Sequence, residues 1–267
     1  MPKLKNSCYE ECEERSKPGL RAELIVVSSY LCLLIIIITI SSSNVNAQET
    51  ENGASSPISL SADIVSSFLW RGMLGSPTLS FQPSINYSKS NFEIGFWGSG
   101  DNLNYIRELD IYVSYSVKGF SLTLTDYYWN MEKGYFNYKN NTTAHVFELG
   151  LSYENENFPL QIYAGTMLYG NDRKIAYNID ETDAAKNNYS TYFELSYTFN
   201  FSQHALKIFA GATPFTGFYG TDFSVVFVGL TGSKEIEITE KFSLPVFATF
   251  AINPQTEEYF VVLGLSL

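Results

Sequence analysis

Ten ionisable side chains recur at alternate positions within otherwise apolar, strand-like runs of the 267-residue chain: Asp63, Arg71, Glu93, Glu108, Asp110, Glu148, Glu194, Lys207, Glu235 and Glu237. Eight are acidic and two basic. Around a hydrated space, an excess of carboxylates attracts cations and repels anions. Packed against Arg71 and Lys207, the same carboxylates form ion pairs that fill the space. The residue types leave both arrangements open. Glu93, Glu108 and Asp110 follow Arg71 closely in the chain, so they are its expected partners, and such pairing would hold the acids ionised.

Other chemistry finds little support. A Ser-His-Asp site needs a histidine between its two partners, and the chain has only His145 and His204. One opens a strand-like run and the other sits in a short turn, without the polar neighbours hydrolysis needs. Two histidines do not make a zinc site, because all three cysteines (Cys8, Cys12 and Cys32) lie in the N-terminal segment. Asp172, Asp180, Glu181 and Asp183 lack EF-hand spacing and read as a solvated acidic loop. No enzyme activity, metal or cofactor is expected.

Alternation positions these side chains. Runs of about ten residues rich in Val, Ile, Phe and Tyr are separated by turn residues, and twelve can be counted between residues 59 and 267. In YIRELDIYVSYS, Leu109, Ile111, Val113 and Tyr115 share one face, and Glu108, Asp110, Tyr112 and Ser114 the other. Residues 143–153, 189–199 and 205–212 alternate in the same way. The polar face holds Gly, Ser and Thr with isolated charges, not the Lys and Glu of a sheet facing bulk water. The connections sort by length. Short ones (SKSN, KG, ENENF, NFSQH, TEK) alternate with mostly longer ones, two of which span 130–142 and 170–188. Short periplasmic turns at one rim and long external loops at the other belong to an outer-membrane barrel. The expected fold is all-β, a transmembrane antiparallel up-and-down β-barrel of about 12 strands. In its first strand, residues 59–71, parity sends Arg71 into the lumen and Trp70 outward into an aromatic girdle.

Residues 24–40, LIVVSSYLCLLIIIITI, form a mostly apolar run followed by Val45-Asn46-Ala47, the small-residue pattern of a signal peptidase site. The reading is a cleaved signal peptide over 1–47, a flexible periplasmic leader over 48–58 and a barrel over 59–267. An uncleaved anchor is the alternative. The segment carries five basic and five acidic residues, so its removal leaves the net charge of −11 unchanged. That charge argues against nucleic acid as a partner.

The run SSFLWRG followed by Pro77, then FEIGFWGS at 92–99 and ELDIYVSYS at 108–116, resembles the TorF-like family of bacterial porins. The Asp126-Tyr127-Tyr128 run is similar to that family's Tyr-rich fifth strand. The specific likeness covers roughly residues 60–130 and implies an outer-membrane barrel. The expected partners are outer-membrane lipid, small hydrophilic solutes and the barrel-assembly machinery. The expected function is a porin-like channel for passive diffusion of small hydrophilic solutes, cation-favouring, with Asp63, Arg71, Glu93, Glu108, Asp110, Glu148, Glu194 and Lys207 as its charged lining. The alternative is a structural or surface-binding barrel that acts through its long external loops.

Overall fold

The computed structural model describes residues 56–102, 107–129, 134–140, 142–155, 158–173, 186–240 and 242–267. The expected signal peptide, most of the expected leader and parts of both longest loops lie outside these residues. The strands are β1 (Ile58–Val65), β2 (Phe68–Trp70), β3 (Met73–Ser76), β4 (Ser80–Lys89), β5 (Phe92–Asp101), β6 (Arg107–Val117), β7 (Phe120–Trp129), β8 (His145–Asn155), β9 (Phe158–Gly170), β10 (Thr191–Phe201), β11 (His204–Thr213), β12 (Ser224–Thr239), β13 (Phe242–Asn253) and β14 (Glu258–Ser266). Twelve of them, β1 and β4 to β14, close into an antiparallel barrel in which β1 meets β14. β2 and β3 form a separate two-stranded hairpin.

Period-2 alternation builds the wall. Leu122, Leu124, Leu149, Leu151, Ile162 and Leu195 point outward and are 39–51% exposed. Such a belt is untenable in water and suits hydrocarbon, while closure leaves no open sheet edge around the ring, so the barrel is transmembrane. Where consecutive strands meet in two-residue turns, the backbone turns through positive φ, as at Ser90 (56°) and at Lys118 and Gly119 (51° and 84°). Above these turns runs an aromatic girdle. Ring centroids lie 4.8 Å apart for Phe92–Tyr115, 4.7 Å for Phe120–Tyr153 and 5.7 Å for Phe158–Tyr197.

Inside, glycines make room for rings. A Cβ at Gly95 would collide with Tyr112, one at Gly211 with Tyr192 and one at Gly264 with Phe247. The inward small residues therefore let aromatic side chains lie against the wall, and the lumen is crowded for that reason.

The first segment departs from expectation. Residues 59–71 do not form one wall strand, because β1 ends at Val65, opposite Gly264 and Ser80. Ser66 makes the last contacts with β14: its N–H donates to the Leu263 carbonyl at 2.8 Å, and its hydroxyl accepts from the Leu263 N–H at 3.0 Å. A serine hydroxyl thus takes the place of a ladder carbonyl and frees the backbone to leave the sheet. The chain turns into the lumen as the β2–β3 hairpin, whose two-residue turn has Arg71 at φ 49° and Gly72 at φ 78°. Both signs are those of a I′ hairpin turn.

Outside the wall, the loop containing residues 134–140 packs onto outward-facing His145. The His145 Nδ1 lies 2.8 Å from Asp126 Oδ1, Nε2 lies 2.5 Å from the Tyr135 carbonyl, and the ring stacks on Tyr138 with centroids 4.1 Å apart. His145→Ala removes the ring that bridges wall and loop and leaves the Asp126 carboxylate without that partner. An expected loss of about 1–3 kcal/mol should appear as faster trypsin cleavage at Lys139. An unchanged cleavage rate would mean that other contacts hold this loop.

Candidate functional site: a hairpin latched across the lumen

Both faces of hairpin β2–β3 touch the barrel, although Leu74, paired with Leu69, stays 45% exposed. On one, Leu69 packs against the cluster of Phe209, Ala251 and Phe260. On the other, Trp70 meets Tyr127 and Trp129 at 5.6 Å each and Tyr219 at 5.8 Å between centroids. Phe68 lies 5.5 Å from Trp97 of β5. Trp70 is therefore not a lipid-facing girdle residue. The parity argument assumed that the segment stayed in the wall, and inside the lumen both faces of a hairpin meet protein.

The hairpin tip carries Arg71. Its guanidinium grips Glu148 of β8 with two parallel bonds, Nη1 to Oε2 at 2.6 Å and Nη2 to Oε1 at 2.7 Å. Nη2 also donates to the Tyr163 hydroxyl at 2.8 Å, and Nη1 to the Tyr219 hydroxyl. The phenols donate in turn to the carboxylate: Tyr163 at 2.5 Å, Tyr127 at 3.1 Å and Tyr219 at 3.2 Å. The Arg71 side chain is 9% exposed and that of Glu148 1%. A buried ion pair persists only where further hydrogen bonds satisfy its remaining lone pairs and protons, and three phenols do that here. Tyr219 arrives from the longer connection between β11 and β12. Burial holds its phenol well above the ordinary tyrosine value, so it remains a donor at neutral pH.

The expected partners of Arg71 are thus corrected. Glu93 lies near the short-turn rim, where it accepts from Ser88 Oγ at 2.8 Å and from the Tyr112 hydroxyl at 3.2 Å. Glu108 accepts from Trp129 Nε1 at 2.7 Å. Asp110 is buried, and its Oδ1 has no hydrogen-bond partner among the described residues. The β5–β6 wall keeps these carboxylates, while the hairpin carries Arg71 to β8.

Two further cavities lie among the remaining charges. One, of about 480 Å³, touches Arg71, Tyr163, Tyr192 and Glu194 and extends to Ser121 and Glu154 by the short turns. The other, of about 280 Å³, is bordered by Asp63, Glu194 and Lys207. Lys207 Nζ stands 3.9 Å from Glu194 Oε1, a loose and partly exposed pair. Asp63, Glu194 and Lys207 are thus brought together, and Glu194 shares the larger cavity with Arg71.

Tyr127, Trp129, Tyr163, Tyr192 and Tyr219 were not singled out by the charge pattern. A signal for the wall members was present: Tyr127 shares parity with Thr123 and Thr125, Tyr163 with Gln161 and Gly165, and Tyr192 with Glu194 and Ser196. Two of these rings lie over inward glycines of a neighbouring strand, Tyr163 over Gly150 and Tyr192 over Gly211. Tyr219 carries no such mark, since a loop has no parity.

No family model matches the chain, and no curated protein matches it. Among solved structures, it is similar to the NanC porin with a TM-score of 0.45 and 8% identity, over 78% of this chain and 98% of that one. The OmpF of Salmonella typhi in complex with daunomycin gives a TM-score of 0.34 and 8% identity, over 78% and 96%. The translocator domain of the autotransporter NalP from Neisseria meningitidis gives 0.33 and 9%, over 92% and 97%. These neighbours are outer-membrane porins and barrels, and the likeness is confined to barrel architecture.

Proposed function

We propose that the chain is an outer-membrane channel for small hydrophilic solutes whose lumen is gated by its own first connection. The observation that carries this reading is the β2–β3 hairpin, folded inward and latched to the opposite wall through Arg71 and Glu148. A barrel that needed only to be filled could use side chains alone, as eight-stranded barrels do. Here a separable chain segment fills the lumen at one level, and cavities of about 480 and 280 Å³ stay open beside it. Their charged lining, Asp63, Glu154 and Glu194 against Lys207, supports a preference for cations, because Arg71 is neutralised by Glu148. The resemblance of residues 60–130 to TorF-like barrels fits this reading. A signal peptide over 1–47, cleaved near Gln48, would place the short turns on the periplasmic side.

Planar-bilayer recording tests the proposal. Wild-type barrel should give small or rare conductance steps, and Arg71→Ala larger, cation-selective ones, because the hairpin loses its latch. If neither protein gives stepwise conductance, the channel reading fails. Surface binding through the external loops, where Phe136 stands 89% exposed, then becomes the better account.

A further inference from the structure

The Arg71 guanidinium is held as a bound ligand would be. Its planar fork meets a carboxylate in register, at 2.6 and 2.7 Å. Its carbon lies 5.0 Å from the Tyr163 ring centroid, 4.9 Å from that of Tyr192 and 5.5 Å from that of Tyr219. Trp70, at 4.5 Å, is the hairpin's own contribution. Everything else in the cage belongs to the barrel wall or to the connection between β11 and β12. Without the hairpin the cage keeps its carboxylate and phenols and loses only the Trp70 ring, and the hairpin delivers the occupant on a two-residue turn. The cavity of about 480 Å³ reaches Arg71, Tyr163 and Tyr192 from the short-turn side, so a solute in the lumen can approach it.

We propose that Glu148, Tyr127, Tyr163, Tyr192 and Tyr219 form a guanidinium-binding site, which the hairpin occupies with its own Arg71 and which guanidinium-bearing solutes can enter in its place. The chemistry selects a guanidinium over an ammonium. Two coplanar N–H groups match the two carboxylate oxygens, and the flat faces stay free for aromatic rings. Cation–π attraction adds most where the cation is desolvated, as here. Because Arg71 is tethered, a free solute competes with an effective concentration on the order of millimolar or above. The wild-type site therefore responds only to concentrated solute, and a barrel without Arg71 responds at lower concentration. Gating by such solutes rests on the channel reading, but the binding itself does not.

Methylguanidinium and methylammonium are matched probes. Both are titrated into purified barrel in detergent, with Trp fluorescence and the thermal midpoint of the unboiled gel shift as readouts. The wild type, Arg71→Ala and the double variant Arg71→Ala with Glu148→Gln are compared. Arg71→Ala should bind methylguanidinium at least tenfold more tightly than methylammonium, with a raised midpoint. The double variant should lose this discrimination, and wild type should respond only at tenfold or higher concentration. Equal responses to the two probes in Arg71→Ala overturn the site, as does methylguanidinium binding that survives in the double variant. Should Arg71→Ala fail to fold, the wild-type titration decides: no fluorescence change with methylguanidinium beyond that with methylammonium overturns it. Discriminating binding without conductance steps sinks the channel reading alone, and steps without discriminating binding sink the site alone.

Discussion

Glu148→Ala is expected to lower the barrel's thermal midpoint sharply and to release the hairpin. The carboxylate accepts both guanidinium bonds and three phenolic hydroxyls, in a position where its side chain is 1% exposed. Removing it leaves a desolvated cation and three hydroxyls without their acceptor. Breaking a buried pair from one side costs about 3–5 kcal/mol. The hairpin offers an escape, since its withdrawal returns Arg71 to water, so the loss is capped at the free energy of undocking. Either route gives a lower midpoint, and withdrawal adds larger conductance steps. Glu148→Gln keeps the volume and one acceptor oxygen, so it should fall between the wild type and Glu148→Ala. A midpoint for Glu148→Ala equal to that of wild type would show that the latch contributes nothing to holding the barrel together.

Gly72→Ala should open the lumen while leaving both latch residues in place. Gly72 sits at φ +78°, and its carbonyl accepts from Asn253 Nδ2 at 3.1 Å. A Cβ there would collide with the carbonyl oxygen of Val226 and come within 3.4 Å of Asn253 Nδ2. The obstacle is wall backbone, which cannot rotate aside, and a methyl group has no rotamers. The left-handed backbone adds about 1–2 kcal/mol for a residue with a side chain. The turn must therefore retreat, and a bidentate fork does not survive a displaced turn. Conductance like that of Arg71→Ala is the expected result. Gly100→Ala is the control, because a Cβ at Gly100 meets nothing within 4 Å. Wild-type gating in Gly72→Ala would mean that the tip is not tightly seated.

The sequence by itself determined the wall. Twelve strands, and the spans of all but the first to within a few residues, are legible because side-chain direction reverses at every residue, a local property that needs no knowledge of neighbours. The runs 143–153 and 189–199 fall on β8 (His145–Asn155) and β10 (Thr191–Phe201), each shifted by two residues. Glu148 already stood on the polar face. Tertiary structure decided what that face meets. Alternation reads the same in a wall strand as in a hairpin folded inside the barrel, so nothing local shows that the chain leaves the sheet at Ser66. Nearness in sequence suggested Glu93, Glu108 and Asp110 for Arg71, but its carboxylate is 77 residues away and its loop tyrosine 148. Such contacts run across the lumen, whereas strand order records only who stands beside whom around the wall. The latch forms because closing the ring brings opposite strands within reach of a single hairpin, and closure is a property of the whole barrel that no one strand encodes.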